Sequence, residues 1–224
     1  MFNLPRCSGI LLHITSLPGP FGIGDLGDEA FHFVDFLVAA GQQLWQIMPL
    51  GPTGYGDSPY QALSAFAGNP LLINPAYLMA EGLLPIEALA DVPPFPADRV
   101  DYDRVIAWKM PLLYRSFAYF QERANSRQRE RFEKFCQEEA GWLDDFALFM
   151  ALKGHFQNAR WDTWPLPIRM HRSEAVAEWS ARLADATQAQ RYFQWLFFEQ
   201  WCALPAYAHE RGIHLIGDIP IFVA

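Results

Sequence analysis

The sequence predicts an α/β fold in which parallel strands are interrupted by a large helical insertion. Three observations support this class: strand, helix and strand follow one another within residues 9–50, long helical patterns come next, and strand character returns at residues 212–223. A strand–helix–strand crossover joins parallel strands, which are covered by helices. Because an open parallel edge is an aggregation hazard, we expect this chain to be incomplete by itself and to be the front part of a larger α/β protein.

The elements of the first fifty residues follow from short local signals. Gly9–Ile14 is an apolar run that ends in a turn rich in proline and glycine, and it is predicted to be a buried strand. Asp25 or Asp28 can cap a helix that Gly41 ends. Leu44–Leu50 is predicted to be the second strand, parallel to the first.

The alternation of strand and helix then stops. Turn formers fill residues 51–78, a proline loop follows, and a helical pattern is interrupted at Pro111, which should kink the helix or mark its start. Residues 121–139 alternate in charge sign and are predicted to form one solvated helix. We therefore divide the chain into residues 1–78 with two strands and a loop, an inserted helical subdomain at 79–205, and a third strand within 206–224.

Composition and charge exclude several classes of protein. The chain has 224 residues, is 51% hydrophobic and 19% charged, and so is not disordered. Its net charge of −8 argues against nucleic acid as a partner, and no apolar run is long enough to span a membrane. Three widely spaced cysteines and unclustered histidines predict reduced thiols, no metal site and a cytoplasmic location.

A glycine triad offers one nucleotide-binding hypothesis. Gly22, Gly24 and Gly27 match the spacing of a dinucleotide-binding loop before a helix. Several residues separate them from the preceding strand, however, and no acidic residue follows the second strand. We expect these glycines to permit tight turns instead.

Two further features point to a small polar ligand. The loop Gly54–Gln61 carries two tyrosines, an aspartate and a glutamine after the second strand, a set that suits a sugar, although its aromatic rings could also pack locally. Asp218 lies in the third apolar strand, where a carboxylate needs a partner, for which an arginine is expected. It is either a structural buried pair or an orienting group at the active end of the strand.

The longest motifs resemble the amylomaltases, which are the 4-alpha-glucanotransferases or disproportionating enzymes of glycoside hydrolase family 77. The resemblance spans nearly the whole chain, in the family's order, and rests on HITSLPGPFGIGDLG, LWQIMPLGPTGYGDSPYQ, SAFAGNPLLI, FALFMALKGHF with WDTWP, and GIHLIGDIPIFVA. It implies a (β/α)₈ TIM barrel with inserted helices, of which this chain holds the first strands. It also implies retaining transfer of α-1,4-glucan segments to another glucan or to glucose, without a metal or organic cofactor.

The resemblance assigns sugar-binding residues but no catalytic ones. Tyr60 matches the tyrosine that stacks on the sugar beside the scissile bond, and Asp218 matches an aspartate of the catalytic pocket. Tyr55 and Tyr102 resemble aromatic positions of a second glucan site. The family's catalytic aspartate and glutamate lie on later strands, so we expect this chain alone to be inactive. The alternative is a non-catalytic glucan-binding or interaction fragment.

Overall fold

The computed structural model describes residues 6–220, 222 and 223 as short strands and many helices. The strands are β1 (Gly9–Leu11), β2 (Leu44–Gln46), β3 (Gln61–Ala62), β4 (His214–Ile216) and β5 (Phe222–Val223). The α-helices are α1 (Asp28–Ala39), α2 (Pro75–Ala80), α3 (Tyr102–Arg123), α4 (Ser126–Glu138), α5 (Ala140–His155), α6 (Leu166–Arg169), α7 (Ser173–Arg182) and α8 (Ala184–Glu210). Short 3₁₀ helices lie at Ile14–Ser16, Tyr55–Asp57, Pro70–Leu72, Ile86–Leu89 and Trp161–Thr163.

The main sheet contains β1, β2 and β4 in that order, and every pair is parallel. The predicted parallel crossover is thereby confirmed, and so is the return of the chain to the sheet at the third strand. The central strand β2 buries Trp45 completely, and the Trp45 indole donates a hydrogen bond of 2.8 Å to the Leu12 carbonyl. The prediction that the first strand is buried was wrong: in β1, Gly9 and Leu11 are exposed and Ile10 is half-buried, with Leu11 53% exposed.

A second, two-stranded sheet pairs β3 with β5, again in parallel. Gln61 is opposite Phe222 and Ala62 is opposite Val223. The segment after β2 and the segment after β4 are therefore joined at the end of the main sheet where both of those strands finish. This pairing was not predicted, since two-residue strands leave no periodic pattern in the sequence.

Helix α1 begins at Asp28 and ends near the predicted stop. Gly41 adopts a φ of +66°, the left-handed conformation that glycine supplies at helix ends. The buried face carries Ala30, Val34 and Leu37. Asp25 is not in the helix: its carboxylate accepts a hydrogen bond from the Gly27 amide before the first turn.

Among the described residues, one compact unit falls within residues 1–124 and 196–224, and the other comprises Asn125–Trp195. Helix α3 belongs with the strands because Val105 packs against Ile23 and Leu71. These boundaries differ from the limits 79 and 205 of the helical subdomain that the sequence predicts. The division of the chain into two barrel strands, a helical insertion and a third barrel strand stays a prediction.

Helices α3 and α4 correct the expectation of one helix across 121–139. Asn125 and Gln128 form a capping box, in which each side chain bonds the other residue's backbone, and it starts α4 after α3 has ended at Arg123. Pro111 lies inside α3 and does not start it. None of the helices in the described part of the chain is both long and apolar enough to cross a membrane.

Candidate functional site

A cavity of about 200 Å³ lies at the carboxyl ends of β2 and β4. Parallel strands direct their carboxyl ends to one edge, which is where barrel enzymes build their sites. We call it the rim cavity. Its walls are residues 47–51 after β2, the loop 64–68, three aromatic residues of α8, and Gly217, Asp218 and Pro220 after β4.

The loop 64–68 is held in place by hydrogen bonds and by a close approach to α8. The Ser64 hydroxyl accepts bonds of 3.1 Å from the amides of Phe66 and Ala67. Gly68 packs so closely on Phe197 that an added Cβ would lie 2.0 Å from the ring. The wall of the rim cavity is therefore formed before any ligand arrives.

Asp218 lines this cavity, and Tyr60, which is not among the lining residues, contacts Asp218 from outside it. The Tyr60 hydroxyl donates a hydrogen bond of 2.7 Å to Asp218 Oδ2, across 158 positions of sequence. The Ile219 amide donates to Asp218 Oδ1 at 2.8 Å. Pairing of Gln61 with Phe222 brings these two segments together. One carboxylate thus joins the loop after β2 to the loop after β4.

The expectation that Asp218 lies buried in a strand was wrong, and no arginine pairs with it among the described residues. Strand β4 ends at Ile216, so Asp218 lies in the following loop and is exposed. Water can solvate a carboxylate there, and no buried counter-charge is required. Its partners are a phenol and a backbone amide rather than a guanidinium.

The hydrogen bond to Asp218 raises the pKa of Tyr60 above its ordinary value, with smaller contributions from desolvation and from the carboxylate charge. Tyr60 therefore remains a neutral phenol, and its hydroxyl is fixed as a donor. The Tyr60 side chain is 36% exposed. An accessible aromatic ring beside a solvated carboxylate can contact the apolar face of a sugar and accept a hydrogen bond from its hydroxyls.

Tyr55 and Tyr102 do not line the rim cavity. The side chain of Tyr55 lies outside the described part of the structure, and its backbone is in the 3₁₀ helix Tyr55–Asp57. Tyr102 begins α3 and packs, half-buried, on the cluster that includes Val105. Desolvation and the charge of Asp103 raise the pKa of Asp57, so the segment that carries Tyr55 lies near the start of α3.

Sequence reasoning missed the aromatic lining of the rim cavity. Phe197, Phe198 and Trp201 come from α8, and Phe66 lies on the facing loop with 69% of its surface exposed. A large apolar side chain in a turn-rich loop was the available signal for Phe66. The α8 residues gave no signal, because aromatic residues in an apolar helix usually belong to the core.

Other parts of the chain pack directly against the three glycines Gly22, Gly24 and Gly27. Gly22 has a φ of +77°, which confirms a turn there. A Cβ on Gly24 would lie 2.0 Å from the Ile14 carbonyl oxygen, and one on Gly27 would lie 2.0 Å from the Asn74 amide nitrogen. Close packing therefore requires these two glycines. Among the described residues, no three His, Cys, Asp or Glu side chains form a group that could hold a metal ion.

Comparison with known proteins agrees with the resemblance seen in the sequence. The chain is 52% identical over 222 residues to a 4-alpha-glucanotransferase of Thermus thermophilus, covering 99% of this chain and 44% of the relative. It is 49% identical over 219 residues to the Synechocystis 4-alpha-glucanotransferase, covering 98% of this chain and 43% of that one. This chain thus spans less than half the length of these relatives.

A solved structure and a family model agree with these relatives. The amylomaltase from Streptococcus agalactiae in complex with acarbose superposes with a TM-score of 0.92 at 40% identity, over 97% of this chain and 44% of that one. The model of the family described as 4-alpha-glucanotransferase matches residues 12–224. The three parallel strands and the helices are consistent with part of a barrel. The chain belongs to glycoside hydrolase family 77, the 4-alpha-glucanotransferase family.

Proposed function

We propose that this chain is part of a 4-alpha-glucanotransferase that moves a segment of an α-1,4-glucan to the 4-hydroxyl of another glucan or of glucose. The observation that carries the proposal is the Tyr60–Asp218 pair at the carboxyl ends of β2 and β4. In the complete enzyme, β1, β2 and β4 are the first three strands of a (β/α)₈ barrel. The names of the relatives support this activity.

Each residue of the pair has a specific task. The Tyr60 ring stacks on a glucosyl unit, and its hydroxyl holds the ring through Asp218. Asp218 has two oxygens with several acceptor positions, so it can also receive a sugar hydroxyl. Phe66, Phe198 and Trp201 add apolar surface to the cavity, on which an acceptor sugar can displace water. Exclusion of water favours transfer to an acceptor sugar over hydrolysis.

The bond-breaking groups come from outside this chain. A retaining double displacement needs two carboxyl groups about 5–5.5 Å apart, one as nucleophile and one as acid/base. Among the described residues that line the rim cavity, Asp218 is the only carboxylate. We therefore expect the isolated 224-residue chain to bind glucan without transferring it, which is also what a non-catalytic binding fragment would do.

Disproportionation of maltotriose by the complete enzyme tests the proposal. Tyr60→Ala removes the stacking ring, so kcat/KM should fall by about tenfold to hundredfold, while Tyr60→Phe keeps the ring and most of the activity. Tyr207 is a matched control because its hydroxyl also donates to a carboxylate, Asp35, at 2.9 Å. Tyr207→Phe should retain full activity. Equal activity of Tyr60→Ala and the unmodified enzyme would refute the assignment.

We also propose that Tyr55 and Tyr102 bind long glucans at a second surface. The nearness of Asp57 and Asp103 supports a common location for the two tyrosines. Tyr102→Ala should weaken binding of soluble amylose and leave turnover of maltotriose unchanged. The melting temperature of the variant must be measured in parallel, because Tyr102 also packs on Val105.

We place the protein in the cytoplasm, with glucans rather than nucleic acid or membranes as partners. The acidic net charge of −8 argues against nucleic acid as a partner, and the free thiols of Cys7, Cys136 and Cys202 support a reducing compartment. Fractionation of the natural cells tests it. Recovery in the secreted fraction would contradict the placement.

A further inference from the structure

Gln200 lies on α8 among the aromatic residues that line the rim cavity. It is 2% exposed and does not line the cavity itself, whereas Phe198 and Trp201 do. With about 3.6 residues per turn, Gln200 is on the side of the helix next to Phe197 and nearly opposite Phe198. Any influence of Gln200 on a ligand in the rim cavity therefore acts through the position of α8.

The Gln200 side chain makes two hydrogen bonds to the backbone of one distant residue. Gln200 Oε1 accepts from the Asn74 amide at 2.7 Å, and Gln200 Nε2 donates to the Asn74 carbonyl at 3.3 Å. Both bonds are buried and span 126 positions of sequence. Because the side-chain amide is planar and is bonded at both its oxygen and its nitrogen, the pair fixes the rotation of α8 as well as its distance from Asn74.

Asn74 is a rigid point of attachment. Its side-chain oxygen accepts from the Tyr77 amide at 3.0 Å, which caps α2, and its side-chain nitrogen donates to Asp25 Oδ1 at 2.8 Å. Asp25 is in turn paired with the buried Lys109 at 3.3 Å. Since all four polar groups of Asn74 are bonded, the residue that holds Gln200 has little freedom to move.

The segment that contains Asn74 also carries the opposite wall of the rim cavity. The loop 64–68 leads into Asn69, whose amide donates to the Leu50 carbonyl at 2.8 Å, and the chain then reaches Asn74. Leu50 is itself a residue of the cavity wall. The bonds from Gln200 to Asn74 therefore hold the α8 wall at a fixed spacing from the loop wall.

A second attachment of α8 lies beyond the rim cavity. The Tyr207 hydroxyl donates to Asp35 at 2.9 Å, and Arg211 Nε lies 3.3 Å from the same carboxylate. The side chains of Asp35 and Arg211 are 52% and 36% exposed, so water competes for these contacts. Pro205 lies within α8 between the two attachments and lacks the N–H of a regular helical hydrogen bond. The attachment that acts at the cavity is the buried one at Gln200.

We propose that Gln200 is a positioning residue for the acceptor sugar. By holding α8 to Asn74, it keeps Phe198 and Trp201 at the spacing from Phe66 at which these side chains contact a sugar. This role rests on the proposed glucan transfer. If the wall is displaced, the acceptor is bound less tightly and water competes better for the glucosyl group. Loss of binding that is equal in the ground and transition states raises KM and leaves kcat unchanged.

Gln200→Met in the complete enzyme tests the proposal, with maltotriose as donor and labelled glucose as acceptor. Methionine keeps the length and volume of the side chain but removes both hydrogen bonds. The apparent KM for glucose should rise about five- to tenfold, and kcat should stay within about twofold of the unmodified enzyme. The ratio of hydrolysis to transfer should rise as well. Label entering longer glucans measures transfer, and new reducing ends measure hydrolysis.

Ser116→Ala is the matched control, assayed like the other variants below its melting temperature. The Ser116 hydroxyl is buried, donates to the Leu83 carbonyl at 2.9 Å and does not line the rim cavity. Its loss should lower the melting temperature and leave KM and the ratio of hydrolysis to transfer unchanged. Gln200→Glu is a second variant, which keeps the acceptor of the 2.7 Å bond and should raise KM by a smaller factor.

The kinetic constants decide the outcome. The proposal is overturned if Gln200→Met lowers only the melting temperature, as Ser116→Ala does. Where Gln200→Met does not fold, an unchanged KM and an unchanged ratio of hydrolysis to transfer in Gln200→Glu overturn it equally. An unmodified enzyme that does not disproportionate maltotriose would contradict the proposed function itself, so the two failures are distinguishable.

Discussion

The buried ion pair between Asp25 and Lys109 makes a quantitative prediction about stability. Lys109 is completely buried, with its Nζ 3.3 Å from Asp25 Oδ2 and 2.8 Å from the Leu71 carbonyl oxygen. Asp25 Oδ1 accepts from the Asn74 side chain at 2.8 Å and from the Gly27 amide at 3.1 Å. This network ties the loop before α1 to α3, so its loss should loosen both.

Asp25→Asn leaves the Lys109 ammonium buried without a counter-charge. Burial lowers the pKa of Lys109, and Asp25 opposes that effect. Without Asp25, the buried side chain of Lys109 avoids an unpaired charge only by losing its proton. From an ordinary pKa of about 10.4, this deprotonation costs about 4.6 kcal/mol at pH 7. Loss of one partner of a buried pair typically costs about 3–5 kcal/mol, so both arguments give the same range for Asp25→Asn.

A double-mutant cycle separates this interaction from general damage. Lys109→Met keeps the side-chain volume, and Asp25 retains two other donors, so we expect a loss of about 3 kcal/mol. Combining Asp25→Asn with Lys109→Met removes both charges and should cost only about 1–2 kcal/mol. The coupling between the two sites is then several kcal/mol.

Urea denaturation at pH 7, followed by tryptophan fluorescence, measures these free energies of unfolding. Asp98→Asn is the control, because Asp98 and Arg99 form an ion pair whose side chains are 77% and 70% exposed. That pair should contribute less than about 1 kcal/mol. The reasoning is refuted if Asp25→Asn lowers the free energy of unfolding by no more than Asp98→Asn does. It is also refuted if the losses of the two single variants, Asp25→Asn and Lys109→Met, add up to the loss of the double variant.

Three further predictions concern a histidine, the Tyr60–Asp218 pair and a close-packed glycine. Burial lowers the pKa of His13 to about 4, below its unfolded value of 6.5. The unfolded state therefore binds a proton first as the pH falls, and stability should decrease from pH 6.5 towards pH 4 by up to about 3 kcal/mol. His13→Gln should reduce this dependence, measured by urea midpoints across that range. For Tyr60, a pKa raised in the folded state means that the stabilisation is present below the unfolded value of 10.0 and is lost at higher pH. Asp218→Asn should lower the pKa of Tyr60, observed by ultraviolet absorbance during alkaline titration against a Tyr60→Phe blank. Gly68→Ala should lower stability by about 1–3 kcal/mol in thermal melting, because its Cβ would lie 2.0 Å from the buried Phe197 ring.

Each of these predictions has a result that contradicts it. Equal pH dependence in the His13→Gln variant would mean that another group titrates. An unchanged tyrosine titration after Asp218→Asn would mean that the hydrogen bond is absent in solution. Gly141→Ala serves as the control for Gly68→Ala, since no heavy atom lies within 4 Å of the added Cβ. Similar melting temperatures of the two alanine variants would refute the packing argument.

Local sequence signals determined the order and direction of the main elements. The parallel pairing of β1 with β2 followed from a crossover of suitable length, and Gly41 ended α1 as expected. Such signals act between residues close in the chain, which is why turns, caps and helical periodicity can be read directly. Two local signals overlap in residues 121–139 and predict different structures. The alternating charges predict one continuous helix, whereas the capping box of Asn125 and Gln128 starts a new helix within the run.

Only the tertiary structure decided which distant groups meet. Tyr60 reaches Asp218 across 158 positions because β3 and β5 pair, and Asp25 meets Lys109 across 84 positions because α3 packs beside the loop before α1. Such contacts depend on strand register and helix packing, which involve the whole chain at once. The sequence by itself determined the family and the parallel strands, whereas the exposure and pairing of Tyr60 and Asp218 required the folded chain, since burial and distance are properties of the packed molecule.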